Sequence, residues 1–406
     1  MKKIITHQTK TLATVFILLS AMFVQAANPT ILPLSTFNVG YSFNEGLVKI
    51  KINSQYGFLN KEGLLVVACK YQSASDFKDG YAVVKADNKF GIIKHNGNVL
   101  VRPQYDQIEN FQGDLALFRK DNKFGYLNKE GKEVIGANFD FALGFEGDYA
   151  AIKKNNKTGY IDKSGNVVVE PKYDFGLNFT EGVAPVSLDG KWGYINDKGE
   201  QVIDFQYDFA SNFSEGIATV RSEGKAYMID IEGQKITKKG FDNISEFKNG
   251  HALFSLDGKF GIINSKGRVK VEGFQRLMTS SNNLFAFQRN NLWGFMDENG
   301  NEVITPIYDH VGDFNEGMAL VKLGDKFGFI NEKGDVAVPI IYDSVDGFSD
   351  GLAAAKINNV YYFVNAFGEE SLALEMDVES KPERIIVHVN QNKMVFLNGH
   401  LTASIR

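Results

Sequence analysis

The sequence predicts an all-β chain, an array of about ten β-meander or hairpin repeats of 34 residues each. Three observations predict it. Glycine recurs at Gly63, Gly97, Gly131, Gly165, Gly199, Gly233, Gly267, Gly300, Gly334 and Gly368, and eight of the nine intervals are 34 residues while one is 33. Asn or Asp stands three residues earlier at Asn60, Asn128, Asp162, Asn196, Asp230, Asn264, Asp297, Asn331 and Asn365, with Lys94 the exception. Alternating apolar runs flank each turn, as "FGYLN" before and "KEVIG" after the turn that Gly131 closes. A fixed period of this length marks units that bury their faces only against neighbours.

Each unit reads in the same order. It opens on a "G-x-A-x-V" strand carrying Ala82, Ala116, Ala150, Ala184, Ala218, Ala252, Ala286, Ala319 or Ala353. A small residue fixed at one place implies close packing by the neighbouring unit. An aromatic-Gly pair then starts a second strand: Tyr56-Gly57, Phe90-Gly91, Phe124-Gly125, Trp192-Gly193, Phe260-Gly261, Trp293-Gly294 and Phe327-Gly328. Thr158-Gly159 keeps only the glycine, and Tyr227 follows Ala226. A strand glycine beside a ring points to close backbone approach. The Asn/Asp-x-x-Gly turn follows, the side chain accepting backbone N–H groups and glycine taking the left-handed position.

After the turn a further strand runs to an aromatic-Asp pair, at Tyr105-Asp106, Phe139-Asp140, Tyr173-Asp174, Tyr207-Asp208, Phe241-Asp242, Tyr308-Asp309 and Tyr342-Asp343. Pro103, Pro171 and Pro306 stand two residues before the ring, where they are expected to end the strand. A Phe six residues beyond the ring leads into the next unit. One unit is thus three clear strands with room for a short fourth.

These columns resemble the WG-repeat family, also called KWG repeats. "KWGYINDKGEQVIDFQYDFASNFSEGIA" (191–218) and "LWGFMDENGNEVITPIYDHVGDFNEGMA" (292–319) carry the pattern, which covers about residues 43–376. The departures are Ala226, Thr158 and "RLMTSSNNL" (276–284), where a distorted connection is expected. The resemblance implies a bacterial β-structured binding or scaffold module.

Unit length and number favour an open solenoid or superhelix. Propeller blades of four strands commonly take about 40–50 residues, and rings commonly hold about 4–8 blades. The alternative is a β-propeller, either one large ring or two five-bladed rings, although no linker breaks the comb near 199–233. An open array needs caps, and residues 27–42 and the hairpin within 377–406 are read as those.

Residues 1–26 join Lys2, Lys3 and Lys10 to the apolar run "LATVFILLSAMFV" (12–24) and small residues at the end. This predicts a signal peptide cleaved after Ala26, with no membrane span remaining after its removal. The protein is then exported, to a periplasm, the cell surface or the medium. Cleavage lowers Lys plus Arg from 44 to 41 against 49 Asp plus Glu, and the formal charge moves from −5 to −8. No basic cluster accompanies it, so nucleic acid is not an expected partner. The single cysteine, Cys69 in "VVACKY", reads as a buried small hydrophobe.

The six histidines are scattered without metal-ligand spacing, and no catalytic or phosphate-cradling motif stands in context. No cofactor, metal or catalytic residue is therefore assigned. The recurrent polar feature is the aromatic-Asp column, and its candidate binding residues are Tyr105, Asp106, Tyr173, Asp174, Tyr207, Asp208, Tyr308, Asp309, Tyr342 and Asp343. Such a column can stack on sugars or engage basic segments. It can equally be core ring and turn-capping carboxylate, which its presence in nearly every copy favours. Specificity then belongs to residues that differ between copies. The reading is a non-enzymatic binding or scaffold module for a protein or polysaccharide in the bacterial cell envelope. The alternatives are a glycan hydrolase with a carboxylate pair drawn from several units, or a lectin-like propeller.

Overall fold

The computed structural model describes residues 37–405 apart from 53, 280–282, 359, 378–383, 390–391 and 398–399. The predicted signal peptide and residues 27–36 of the predicted cap lie outside the described residues.

The turns form as their chemistry dictates. Asp162 Oδ1 accepts the N–H groups of Ser164 and Asn166, each at 2.9 Å, and Gly165 sits at φ +83°. Each such turn joins two strands, and a two-residue turn joins the strand before. In the fifth unit the strands are Phe175–Gly176, Val183–Leu188, Lys191–Asn196 and Gln201–Tyr207, paired antiparallel in that order. Ten such sheets follow one another; eight have four strands, the sixth has three and the tenth has seven.

The ten sheets form a closed ring, a ten-bladed β-propeller. The joint between the last and first sheets repeats the joints within the chain. Glu45, Glu181 and Glu316 each accept the N–H of a glycine 35 residues on (Gly80, Gly216 and Gly351) at 2.9 Å. Asp350 makes the same bond to Gly46 N–H, at 2.5 Å across 304 residues. Phe58 meets Phe77 edge to face at 4.7 Å, and Phe363 meets Phe43 likewise at 4.8 Å. Lys61 adds a bond to the carbonyl of Asp350 at 2.6 Å.

The favoured open solenoid is therefore corrected to the single large ring. The size argument fails because in most blades the first strand is only two residues long and the turns are short, so one repeat length holds four strands. The C-terminal strands Arg384–Val389, Asn392–Leu397 and His400–Ile405 extend the tenth sheet.

The prolines are a second correction. Pro103, Pro171 and Pro306 lie inside the strands Val99–Tyr105, Val167–Tyr173 and Glu302–Tyr308 rather than at their ends. The register slips beside the aromatic-Gly pair, between Phe90↔Tyr105 and Ile92↔Val101, which makes a bulge on the fourth strand. Proline is accepted there because no partner needs its missing N–H. The glycine opposite explains the geometry: a Cβ on Gly91 would lie 2.4 Å from the carbonyl oxygen of Val101 and 2.7 Å from Pro103 N.

Where Ala226 replaces that glycine, the sixth sheet lacks its fourth strand. Ala226 and Phe241 exchange backbone bonds of 2.8 and 2.9 Å, and the buried Thr237 hydroxyl accepts the N–H of Met228. The departure in sequence is thus a departure in structure.

The core lies between blades. Every alanine of the "A-x-V" column is at most 1% exposed. Ala184 packs with Tyr160, Val169 and Tyr173 of the preceding blade and with Val186 and Ile195 of its own. Tyr126, Tyr160 and Tyr194 each donate a hydroxyl proton to a carbonyl of the next blade (Leu143, Leu177 and Ser211) at 2.7 Å. Cys69 is buried as expected, and burial pushes its thiol up to about 12.

Candidate binding face

Fourth strand of one blade and first strand of the next are separated by a single residue, the Asp of the aromatic-Asp column. The chain leaves Tyr105 and enters Gln107–Ile108 through Asp106. This places every such Asp at a joint, on the face of the ring that also carries the two-residue turns.

The five candidate tyrosines are core residues. Tyr105, Tyr173, Tyr207, Tyr308 and Tyr342 are all buried, with at most 4% of their surface exposed. Stacking on a ligand is closed to them in this fold. Tyr105 donates its hydroxyl to Glu133 at 2.8 Å.

The candidate aspartates bind their two neighbouring blades together. Asp106 accepts from Lys89 Nζ at 2.5 Å, 17 residues earlier, and from the N–H of Asp121 at 2.8 Å, 15 residues later. Asp208 takes Lys191 at 2.7 Å and the N–H of Glu223 at 3.0 Å. Asp343 takes Lys326 at 2.5 Å and the N–H of Asn358 at 2.9 Å. Asp174 takes Lys157 at 2.6 Å and faces the N–H groups of Asp189 and Gly190. Asp140 and Asp242, outside the candidate set, do the same with Lys123 and Lys225. Asp309 takes the N–H of Gly324 at 2.6 Å, and Leu292 stands where seven other blades have lysine.

The lysine hydrogen bond, helped by the turn N–H, holds Asp106, Asp140, Asp174, Asp208, Asp242 and Asp343 below the ordinary carboxylate range. A carboxylate whose pKa falls on folding lends stability above its unfolded value, about 4, and loses it as pH drops through the folded value. The urea midpoint is therefore expected to be level from about pH 7 to pH 5 and to fall below about pH 4. The triple variant Asp140→Asn, Asp174→Asn, Asp208→Asn should start lower and fall less steeply. A wild-type midpoint unchanged down to about pH 3 contradicts this role for the joints.

The residue just after the Asp differs between copies. It is Gln107, Phe141, Phe175, Phe209, Asn243, His310 or Ser344, and each of these is exposed. Three consecutive blades, the fourth to sixth, carry phenylalanine there, with 48%, 60% and 40% of Phe141, Phe175 and Phe209 exposed. Phe141 leans on Phe124 at 5.6 Å and Phe209 on Trp192 at 5.4 Å, both rings of the preceding blade. For Phe175 the equivalent position holds the smaller Thr158 instead of a ring, and Lys153 Nζ lies 4.9 Å from the centre of Phe175. Attention to recurrent columns misses this row; the signal was three phenylalanines, each one repeat from the next, in an otherwise polar, varying column.

A model of the "WG containing repeat" family matches nine consecutive segments, 56–90, 90–124, 124–157, 159–192, 192–225, 228–260, 260–293, 293–327 and 327–361. No curated protein sequence matches the chain. Among solved structures, a eukaryotic initiation factor is similar at 12% identity over 80% of this chain and 96% of that one, with a TM-score of 0.46. BamB from Moraxella catarrhalis is similar at 13% identity over 64% and 91%, with a TM-score of 0.34. The extracellular domain of a putative hybrid two-component system from B. thetaiotaomicron is similar at 10% identity over 93% and 60%, with a TM-score of 0.27.

Proposed function

The chain belongs to the WG-repeat family, and from that premise we propose that it is a non-enzymatic binding module whose contact surface is the row Phe141, Phe175 and Phe209. The observation that carries this is the exposure of three large rings on successive blades, at a joint position that varies between copies. Single exposed apolar residues are ordinary on a protein surface, whereas an ordered row marks an interaction site. Lys153 beside Phe175 and Arg221 paired across from Phe209 give the row cationic edges. A surface of spaced rings and hydrogen-bonding side chains suits an extended partner lying across several blades, a polysaccharide or a protein segment. The predicted signal peptide supports a place in the cell envelope or outside it, with the partner met there.

The test is capture from envelope extracts and a glycan array, comparing the wild type with Phe141→Ser, Phe175→Ser, Phe209→Ser. The wild type is expected to retain a discrete partner and the triple variant to lose at least about 10-fold in affinity, as for removal of interface aromatic anchors. Unchanged thermal stability of the variant separates lost contact from lost fold. Equal retention by both proteins overturns the assignment of this surface.

A further inference from the structure

A cavity of about 490 Å³ opens between the seventh and eighth sheets, and its walls include Lys259, Phe274, Gln275, Phe287, Arg289 and Asn290. It lies at a break in the pattern of joints. Phe274 pairs with Phe260 as Tyr105 pairs with Phe90, so Gln275 stands where seven other joints have aspartate. The donors that serve that aspartate elsewhere are both kept: Lys259 begins its strand, and Asn290-Asn291 form the turn. Among the described residues, Lys259 Nζ has no hydrogen-bond or ion-pair partner, and no side chain accepts the N–H of Asn290.

The first joint shows what a compensated loss looks like. Gln72 replaces the aspartate there, Gln55 replaces the lysine, and Gln72 Oε1 accepts the N–H of Asn88 at 2.9 Å. At Asp309 the lysine is gone and the acid remains. Among the joints whose side chains are described, the seventh-to-eighth alone keeps the cation and loses the acid.

We propose that this cavity binds a ligand carboxylate, held between Lys259 Nζ and the turn N–H of Asn290 as aspartate is held at six other joints. Charge favours an anion: Glu302, the one acid among the described residues that line the cavity, is already bound to Arg289 at 2.5 Å. The volume suits a small molecule or a single terminal residue. Phe274 and Phe287, edge to face at 5.8 Å, offer an apolar wall, and Gln275, with Gln288 whose Nε2 donates to the carbonyl of Asn291, lines it with amide groups. An acidic monosaccharide or an N-acylated amino acid meets this chemistry. The cavity shares no residue with the phenylalanine row, so the two assignments stand or fall separately.

Calorimetric titration of the full chain with D-glucuronate, D-galacturonate and N-acetyl-L-glutamate, against D-glucose and N-acetylglycinamide, distinguishes the two sources. At least one carboxylate is expected to bind, neither neutral probe to bind, and Lys259→Ala to weaken binding at least about 10-fold. Gln275→Asp supplies the carboxylate from within: it should abolish binding of every probe and raise Tm by about 1–2 °C. Three results overturn the proposal. These are binding by none of the three acids, binding indifferent to Lys259→Ala, and a Gln275→Asp variant that still binds and melts no higher. A melting curve for each variant reports folding independently of the titration.

Discussion

Gly193→Val is expected to unfold the outer part of the fifth blade and lower stability by about 3 kcal/mol or more. A Cβ at this glycine would lie 2.6 Å from the carbonyl oxygen of Ile203 and 2.9 Å from the carbonyl oxygen and carbon of Asp204. All three are backbone atoms of the fourth strand, Gln201–Tyr207, and cannot swing aside as a side chain would. The strand must move, taking Ile203 and Tyr207 out of the contact with the next blade that both now make. Ala226 indicates how much: with one methyl at the equivalent place, the sixth sheet has three strands. Valine adds two further carbons where the surroundings did not evolve to receive any. Amide exchange should show protection lost across 201–207, together with a lowered Tm. A Tm within about 1 °C of wild type would show that the fourth strand tolerates what the contact distances forbid.

The second large effect concerns the seam. Phe363→Ala is expected to cost about 3–5 kcal/mol, as much as Phe329→Ala. Both rings are fully buried, at 0% and 1% exposure, and both meet the Phe of the next blade edge to face at 4.8 Å. The next blade is the tenth for Phe329 and the first for Phe363. In an open array Phe363 would sit on an end unit facing solvent, and its truncation would cost far less than an internal one. Chemical denaturation of the two variants, side by side, decides between the forms. A Phe363→Ala cost below about 1 kcal/mol beside a large Phe329→Ala cost would mean that the ring is open in solution.

What the sequence made legible was local. Asn and Asp three residues before glycine announce their turns because the hydrogen bonds involved span no more than four residues. The aromatic-Gly pair announces backbone contact because no other residue is free of a Cβ. Closure was not legible, since it depends on the small angle at each joint summed over ten joints, and no residue states that angle. Asp350 and Gly46 look like any other pair of turn residues until the fold brings them together. The aromatic-Asp column was half legible. Its rings belong to the core and its carboxylates to the joints, but the lysine and the turn that serve each carboxylate stand on either side of it in the chain and meet only through pairing across strands. Gln275 stood beside the stretch "RLMTSSNNL", which the repeat pattern marked as irregular. Its meaning appears only once Lys259 is seen without the acid its counterparts have.

The bonds by which Asp350 and Phe363 hold Gly46 and Phe43 recur at joints within the chain, as between Glu45 and Gly80 and between Phe58 and Phe77. The circle consequently has no privileged starting point. A circularly permuted gene, opened between any two units and rejoined by a short linker, encodes the same set of contacts. Where translation begins is for this architecture a matter of ancestry rather than of mechanics.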